Sequence, residues 1–109
     1  MTDLEMTRLC AQAMGWTFVD SGPTHEGWCA GRYEKDGAPG QWEYSWKPLH
    51  DDAQAMALVK KLGLSVIWSK EREDWDVGPN GIGVSEQDAC DVNLNRAIVE
   101  CVAKMETAK

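Results

Sequence analysis

The sequence predicts an α+β domain, a mostly antiparallel sheet of four to five strands packed by three amphipathic helices. Three observations predict it. Apolar residues recur at helical spacing in three stretches, at the start, middle and end of the chain. Between them lie short runs of alternating apolar and polar residues, joined by Gly, Pro and Asn turns too short for parallel crossovers. The chain has 109 residues, which suits one domain able to hide roughly two thirds of its unfolded surface.

The elements follow in order. Thr2 to Met14 reads as a helix: Thr2 and Glu5 have capping-box spacing, Met6, Leu9, Cys10 and Ala13 form the stripe, and Gly15 ends it. Trp16 to Asp20 reads as a weak strand. A loop-rich stretch from Ser21 to Gly40 has room for a short strand at Trp28 to Glu34, with Gly37 to Gly40 as the turn after it. Gln41 to Lys47 alternates, with Trp42, Tyr44 and Trp46 on one face, and Pro48 stops it. Asp51 to Leu62 is the second helix, capped by Asp51, with Ala55, Leu58, Val59 and Leu62 as its stripe and Met56 beside it; Gly63 closes it. Leu64 to Lys70 and Glu73 to Val77 are strands, and Ile82 to Val84 pairs back across the Gly78-Pro79-Asn80-Gly81 turn. Ser85 to Asp88 opens the last helix, whose face is Cys90, Leu94, Ala97, Ile98, Cys101, Val102 and Met105. No repeat or second domain interrupts the single unit 1–109.

Leu, Ile, Val and Phe total only 19 of 109 residues and the net charge is -7, a composition that leans toward disorder. Six Trp and five Met reverse that reading, since Trp buries a large area and Met fills irregular gaps. The core is therefore expected from Trp, Met, Ala and Cys as much as from Leu and Val. Trp16, Trp42, Trp46 and Trp68 are read as core. Trp28 and Trp75 sit in polar or Gly-rich surroundings, where an interface anchor and a half-buried edge-strand residue are both open readings.

Charge and motif content narrow the function. Eighteen acids against eleven bases argue against direct nucleic-acid binding, which needs Lys and Arg gathered on one face; a basic protein surface suits the charge better. The N-terminus has no basic run followed by an apolar core, and no stretch reaches 18 apolar residues, so a cytosolic chain is expected. Cys10, Cys29, Cys90 and Cys101 lack metal-ligand spacing and are read as reduced thiols, with Cys90 and Cys101 on one helix face about 16 Å apart. His25 and Cys29 lack the further ligands zinc needs. No metal or cofactor is expected. His50-Asp51-Asp52 is the best acid–base cluster, but a helix start, where acids offset the dipole, explains it more simply. Gly78 to Gly83 lacks the Lys and the strand–loop–helix context of a phosphate loop and reads as a turn. No catalytic residue is assigned.

One stretch stands out. Glu71 to Asp91 holds seven acids and one base, six of the seven net negative charges. It reads either as a solvated turn and helix start or as a patch that docks on a basic groove. The candidate partner-binding residues are Glu71, Glu73, Asp74, Trp75, Asp76, Glu86 and Asp88.

Three segments, Leu4 to Gly15 (LEMTRLCAQAMG), Trp46 to Leu64 (WKPLHDDAQAMALVKKLGL) and Asp91 to Met105 (DVNLNRAIVECVAKM), together resemble the bacteriophage and prophage proteins of the phage ABA sandwich family. The resemblance covers about 45 of 109 residues, all helical or helix-flanking. It implies a compact α/β sandwich from a phage accessory gene and no particular reaction. Ser21 to Trp42 and Ser69 to Gln87 follow no family pattern, so a specific partner would be read there. With the charge, the resemblance implies a non-enzymatic inhibitor of a host defence complex, anti-CRISPR-like, acting in the host cytosol by occluding a basic surface of a CRISPR effector component. The alternatives are a small enzyme or ligand-binding protein for a nucleotide or small molecule, built on His50 to Asp52, and a phage assembly factor. The oligomeric state is left open.

Overall fold

The computed structural model describes residues 1–23, 29–35, 38–42, 45–79 and 88–109. Its element order is α1 (Asp3–Ala13), β1 (Thr17–Pro23), β2 (Cys29–Lys35), β3 (Ala38–Trp42), α2 (Asp52–Leu62), β4 (Ser65–Ser69), β5 (Asp74–Gly78), β6 (Ala89–Asp91) and α3 (Leu94–Thr107). The α+β class, the antiparallel pairing and the three amphipathic helices are as the sequence predicts. The strands do not form one sheet of four to five. Among the described residues they form two three-stranded antiparallel sheets, β1-β2-β3 and β4-β5-β6. The α2 segment lies between them in sequence, so each sheet is assembled from neighbours along the chain.

The helices start and stop where their caps dictate. Thr2 accepts from the Glu5 amide at 3.1 Å while Glu5 accepts from the Thr2 amide at 3.3 Å, closing the capping box. Asp51 accepts from the Gln54 amide, and Gly63, at φ 64°, takes the left-handed position that ends α2. The third helix departs from expectation. Asn93 caps it, accepting from the Arg96 amide at 3.0 Å, and Asp91 accepts from the Asn93 amide at 2.8 Å. Two short polar side chains thus divert the backbone just before the helix. The helix opens at Leu94 instead of Ser85 to Asp88, and Cys90 lies on β6, off the α3 stripe.

Gln41 to Lys47 is the second departure. The strand ends at Trp42, and 45–47 is held to α2 instead. Gln54 donates to the Ser45 carbonyl at 2.7 Å and accepts from the Lys47 amide at 2.6 Å. Trp46 is core as expected, but through the Thr7 carbonyl of α1, to which its indole donates at 2.9 Å, and not through strand alternation. Trp42 and Tyr44 side chains, Trp28 and the Ile82 to Val84 pairing lie outside the described residues.

The core sits around α3, which packs on α1, α2, β5 and β6. Ala97, Ile98, Val99, Cys101, Val102 and Ala103 of α3 are all buried, a wider face than a single stripe. Small residues at 97, 101 and 103 let α1 and the sheet approach closely. At the other sheet the rings dominate. Tyr33 is buried among Trp16 (6.2 Å between ring centroids) and Phe18 (5.6 Å), and Trp16 meets Trp46 edge-on at 4.8 Å. Among the described residues, no helix is long and apolar enough to cross a membrane.

Candidate functional site

The acidic stretch builds a hairpin. Ser65↔Gly78, Val66↔Val77, Ile67↔Asp76, Trp68↔Trp75 and Ser69↔Asp74 pair in unbroken register. Residues directly opposite share a face. Val66, Trp68, Trp75, Val77 and Ala89 therefore look toward the helices, and burial agrees: Val77 and Ala89 are buried. Ser65, Ile67, Ser69, Asp74, Asp76 and Cys90 occupy the outer face. There Ile67 keeps 55% of its surface exposed, and Cys90 is also exposed.

The turn at 70–73 closes the hairpin. Ser69 Oγ accepts from the Arg72 amide at 3.3 Å, and Glu73 takes φ 55°, a left-handed conformation that costs a non-glycine residue roughly 1–2 kcal/mol. That bend aims Arg72 back along the outer face. Its guanidinium meets Asp74 at 3.2 Å and Asp76 at 3.5 Å, and the hydrogen bond and charge of Asp74 first of all raise the Arg72 pKa. Cys90 Sγ lies 3.6 Å from Asp76 Oδ1. The slight desolvation of this exposed thiol and then the Asp76 charge, opposed by Arg72, push it up. That direction is the reverse of an activated nucleophile's.

The predicted partner-binding residues thus fall into separate groups. Glu71 and Glu73 are exposed on the turn. Asp74 and Asp76 lie on the outer face under Arg72. Trp75 faces inward, half-buried and edge-on to Trp68 at 5.1 Å, whereas Asp88 covers Gly78, where an added Cβ would collide with its carboxylate, while its carbonyl accepts from Lys104 at 2.9 Å. Glu86 lies outside the described residues. Asp91, the last acid of the stretch, serves the start of α3 and lies 4.0 Å from Arg96.

Two residues were missed. Trp68, read as core, lies on the helix-facing side yet is 45% exposed, because the helices do not reach that end of the hairpin. Ile67 is not among the predicted site residues, although its neighbours Ser65 and Ser69 mark its face as the outer one.

The other candidates are structural. His50 is exposed and its amide donates to the Lys47 carbonyl at 2.9 Å; Asp51 caps α2; Asp52 accepts from Asn95 at 2.8 Å. A cleft of about 530 Å³ lies between α1 and β1, lined by Arg8, Leu9, Gln12, Trp16, Phe18 and Tyr33 among others, with none of His50, Asp51 or Asp52 on its wall. Burial pushes the Cys10 thiol up to about 12 and Cys101 up to about 11. Among the described residues no group of three or more His, Cys, Asp or Glu side chains could hold a metal ion. His25, and residues 80–83 of the Gly-rich turn, lie outside the described residues. Comparison with family models, curated proteins and solved structures finds no match, for the phage family or any other.

Proposed function

We propose that this protein works as a binding protein, docking the outer face of sheet β4-β5-β6 and its 70–73 turn on a basic protein surface. One observation carries the reading. This face has exposed Ile67 at its middle and, from Lys70 to Asp76, four carboxylates against one ammonium and one guanidinium. An apolar centre with a charged rim is the usual anatomy of a transient interface, and a net negative rim steers encounter with a positive partner. Arg72 orders Asp74 and Asp76 before any partner arrives, which lowers the side-chain entropy lost on binding. The resemblance to phage ABA sandwich proteins supports taking that partner from a host defence complex in the host cytosol, with a CRISPR effector component as the candidate and occlusion of its nucleic-acid-handling surface as the mode of action.

The test is a pull-down of host CRISPR effector components on the immobilised chain, with a Glu73→Ala, Asp74→Ala, Asp76→Ala variant alongside. Capture by the parent chain, weakened by rising salt and lost in the variant, is the expected result. Absence of any captured host protein removes the inhibitor reading. Capture that the triple variant retains removes this face from it.

A further inference from the structure

The two sheets have four edge strands among the described residues, and three of them are blunted against further pairing. β1 ends in Pro23 and changes register between Asp20 and Pro23. β3 carries Pro39, and its pairing with β2 shifts register between Arg32 and Glu34. β6 is three residues long. Proline, register breaks and brevity are the devices that stop an edge from templating another strand.

β4 has none of them. Its sequence, Ser-Val-Ile-Trp-Ser, contains no proline, glycine or charge. Its ladder with β5 is regular over all five residues, and its two large side chains, Ile67 and Trp68, are exposed on opposite faces. A partner lying against only one face of the sheet would cover only one of them. A strand added along the edge reaches both.

We propose that the added strand is β4 of a second copy of this chain, paired antiparallel about a twofold axis through Ile67, making one six-stranded sheet. Self-complementarity chooses this occupant. A twofold axis normal to the sheet keeps each face on its own side, so outer residues must oppose outer residues and inner oppose inner. Centring on Ile67 pairs the whole strand: Ser65 with Ser69, Val66 with Trp68, Ile67 with its own copy. Centring on Val66 or Trp68 meets the same rule but leaves two of the five residues beyond the partner strand. In the Ile67 register the exposed indole of Trp68 lies beside Val66 of the other copy, on the helix-facing side, and the two Ile67 side chains meet on the outer side.

Charge agrees with the same register. Continued past the strand ends, it brings the 70–73 turn of each copy alongside the last turn of α2 in the other. Glu71 and Glu73 are exposed on the first beside Lys70 and Arg72, the latter held by Asp74 and Asp76, and Lys60 and Lys61 are exposed on the second. The two glutamates of each copy thus lie within reach of the two lysines of the other, once on each side of the axis, against the repulsion of two chains of net charge -7. The inference stands apart from the docking proposal, since it needs no other partner. It leaves Asp74 and Asp76 of both copies on one shared outer face.

Sedimentation equilibrium of the full chain, from micromolar to millimolar, tests the association. The expected result is a shift from 12.1 kDa to twice that mass, abolished by Ile67→Lys, which sets two like charges opposite each other, while the circular dichroism of the monomer stays unchanged. Cysteine cross-linking tests the register, in a Cys29→Ser, Cys90→Ser background. Ile67→Cys meets its own copy at about 4.5–5.5 Å between Cα atoms, within disulfide reach, and forms a covalent dimer on oxidation. Ser65→Cys is four residues out of step with itself, roughly 13 Å along the strand, and stays monomeric on a non-reducing gel. A monomer at every concentration overturns the proposal. So does a dimer that survives Ile67→Lys, or cross-linking through position 65 in preference to 67.

Discussion

Both sheets are three antiparallel strands in sequential order, yet they are filled and finished differently. Sheet β1-β2-β3 meets α1 with rings, Phe18 and Tyr33, joined by Trp16 and Trp46. Sheet β4-β5-β6 meets α3 with small and branched residues, Val77 and Ala89. The first has register breaks and prolines at its edges; the second is regular and, among the described residues, leaves β4 open. Where the ladder is irregular the edges are closed to other chains, and where it is regular one edge and one face remain available among the described residues. The candidate docking surface lies on the second sheet for that reason.

The comparison breaks first at Tyr33. If rings hold the first sheet to α1, Tyr33→Ala removes a side chain that is 1% exposed and should cost about 3–5 kcal/mol, as for other buried aromatics. Urea unfolding followed by tryptophan fluorescence measures it. A cost under about 1 kcal/mol, the level of a surface site, would mean the first sheet is not anchored through this ring. Val77→Ala tests the second sheet in the same assay. It removes two buried methyl groups and should cost about 2 kcal/mol, from roughly 0.8 per buried carbon with a small cavity added. A larger loss at Val77 than at Tyr33 would reverse the ranking of the two attachments.

Next in size is a pH effect at the helix interface. Cys10 of α1 and Cys101 of α3 are buried, and their thiol pKa values are raised to about 12 and about 11 from 9.0. A raised folded-state pKa gives a contribution that is complete below pH 9, declines above it as the unfolded chain ionises first, and is spent once pH passes the folded value. Between pH 9 and 10 each thiol should account for on the order of 1 kcal/mol of lost stability. Chemical denaturation at the two pH values, repeated with Cys10→Ala, reads it as a shallower decline in the variant. Equal declines would show that Cys10 does not carry the effect.

Much of this architecture was legible because it rests on local rules. The Thr2–Glu5 box, the Asp51 cap and Gly63 needed only spacing. The buried residues of α2, and Ala97, Ile98, Cys101 and Val102 of α3, needed only period; Val99 and Ala103 lie beyond that stripe. What escaped depends on distant groups. Gln54 binds Ser45 and Lys47 and so takes Trp46 out of its alternating run. Asn93 and Asp91 both seek backbone amides, and the later cap sets the helix start, which turns Cys90 from a helix position into a strand one. In the candidate site, composition located the charge of Glu71 to Asp76 but could not show that Arg72 folds back over Asp74 and Asp76. That contact depends on the left-handed turn at Glu73, and no motif signals one at a glutamate. Trp68 has the alternation of a core residue; its exposure follows from where α3 lies, a tertiary fact.

The smallest expected effect is the sharpest test of the open face. Ile67→Thr keeps a β-branched side chain on β4, so strand propensity is preserved, and it changes a residue already 55% exposed. Measured on a chain dilute enough to be monomeric, it should move stability by no more than about 0.5 kcal/mol. A loss above 1 kcal/mol would mean the chain covers Ile67 with its own residues. The outer face would then be closed like the inner one, the contrast between the two sheets would fail, and with it both the docking surface and the edge-strand pairing that depend on Ile67 being free.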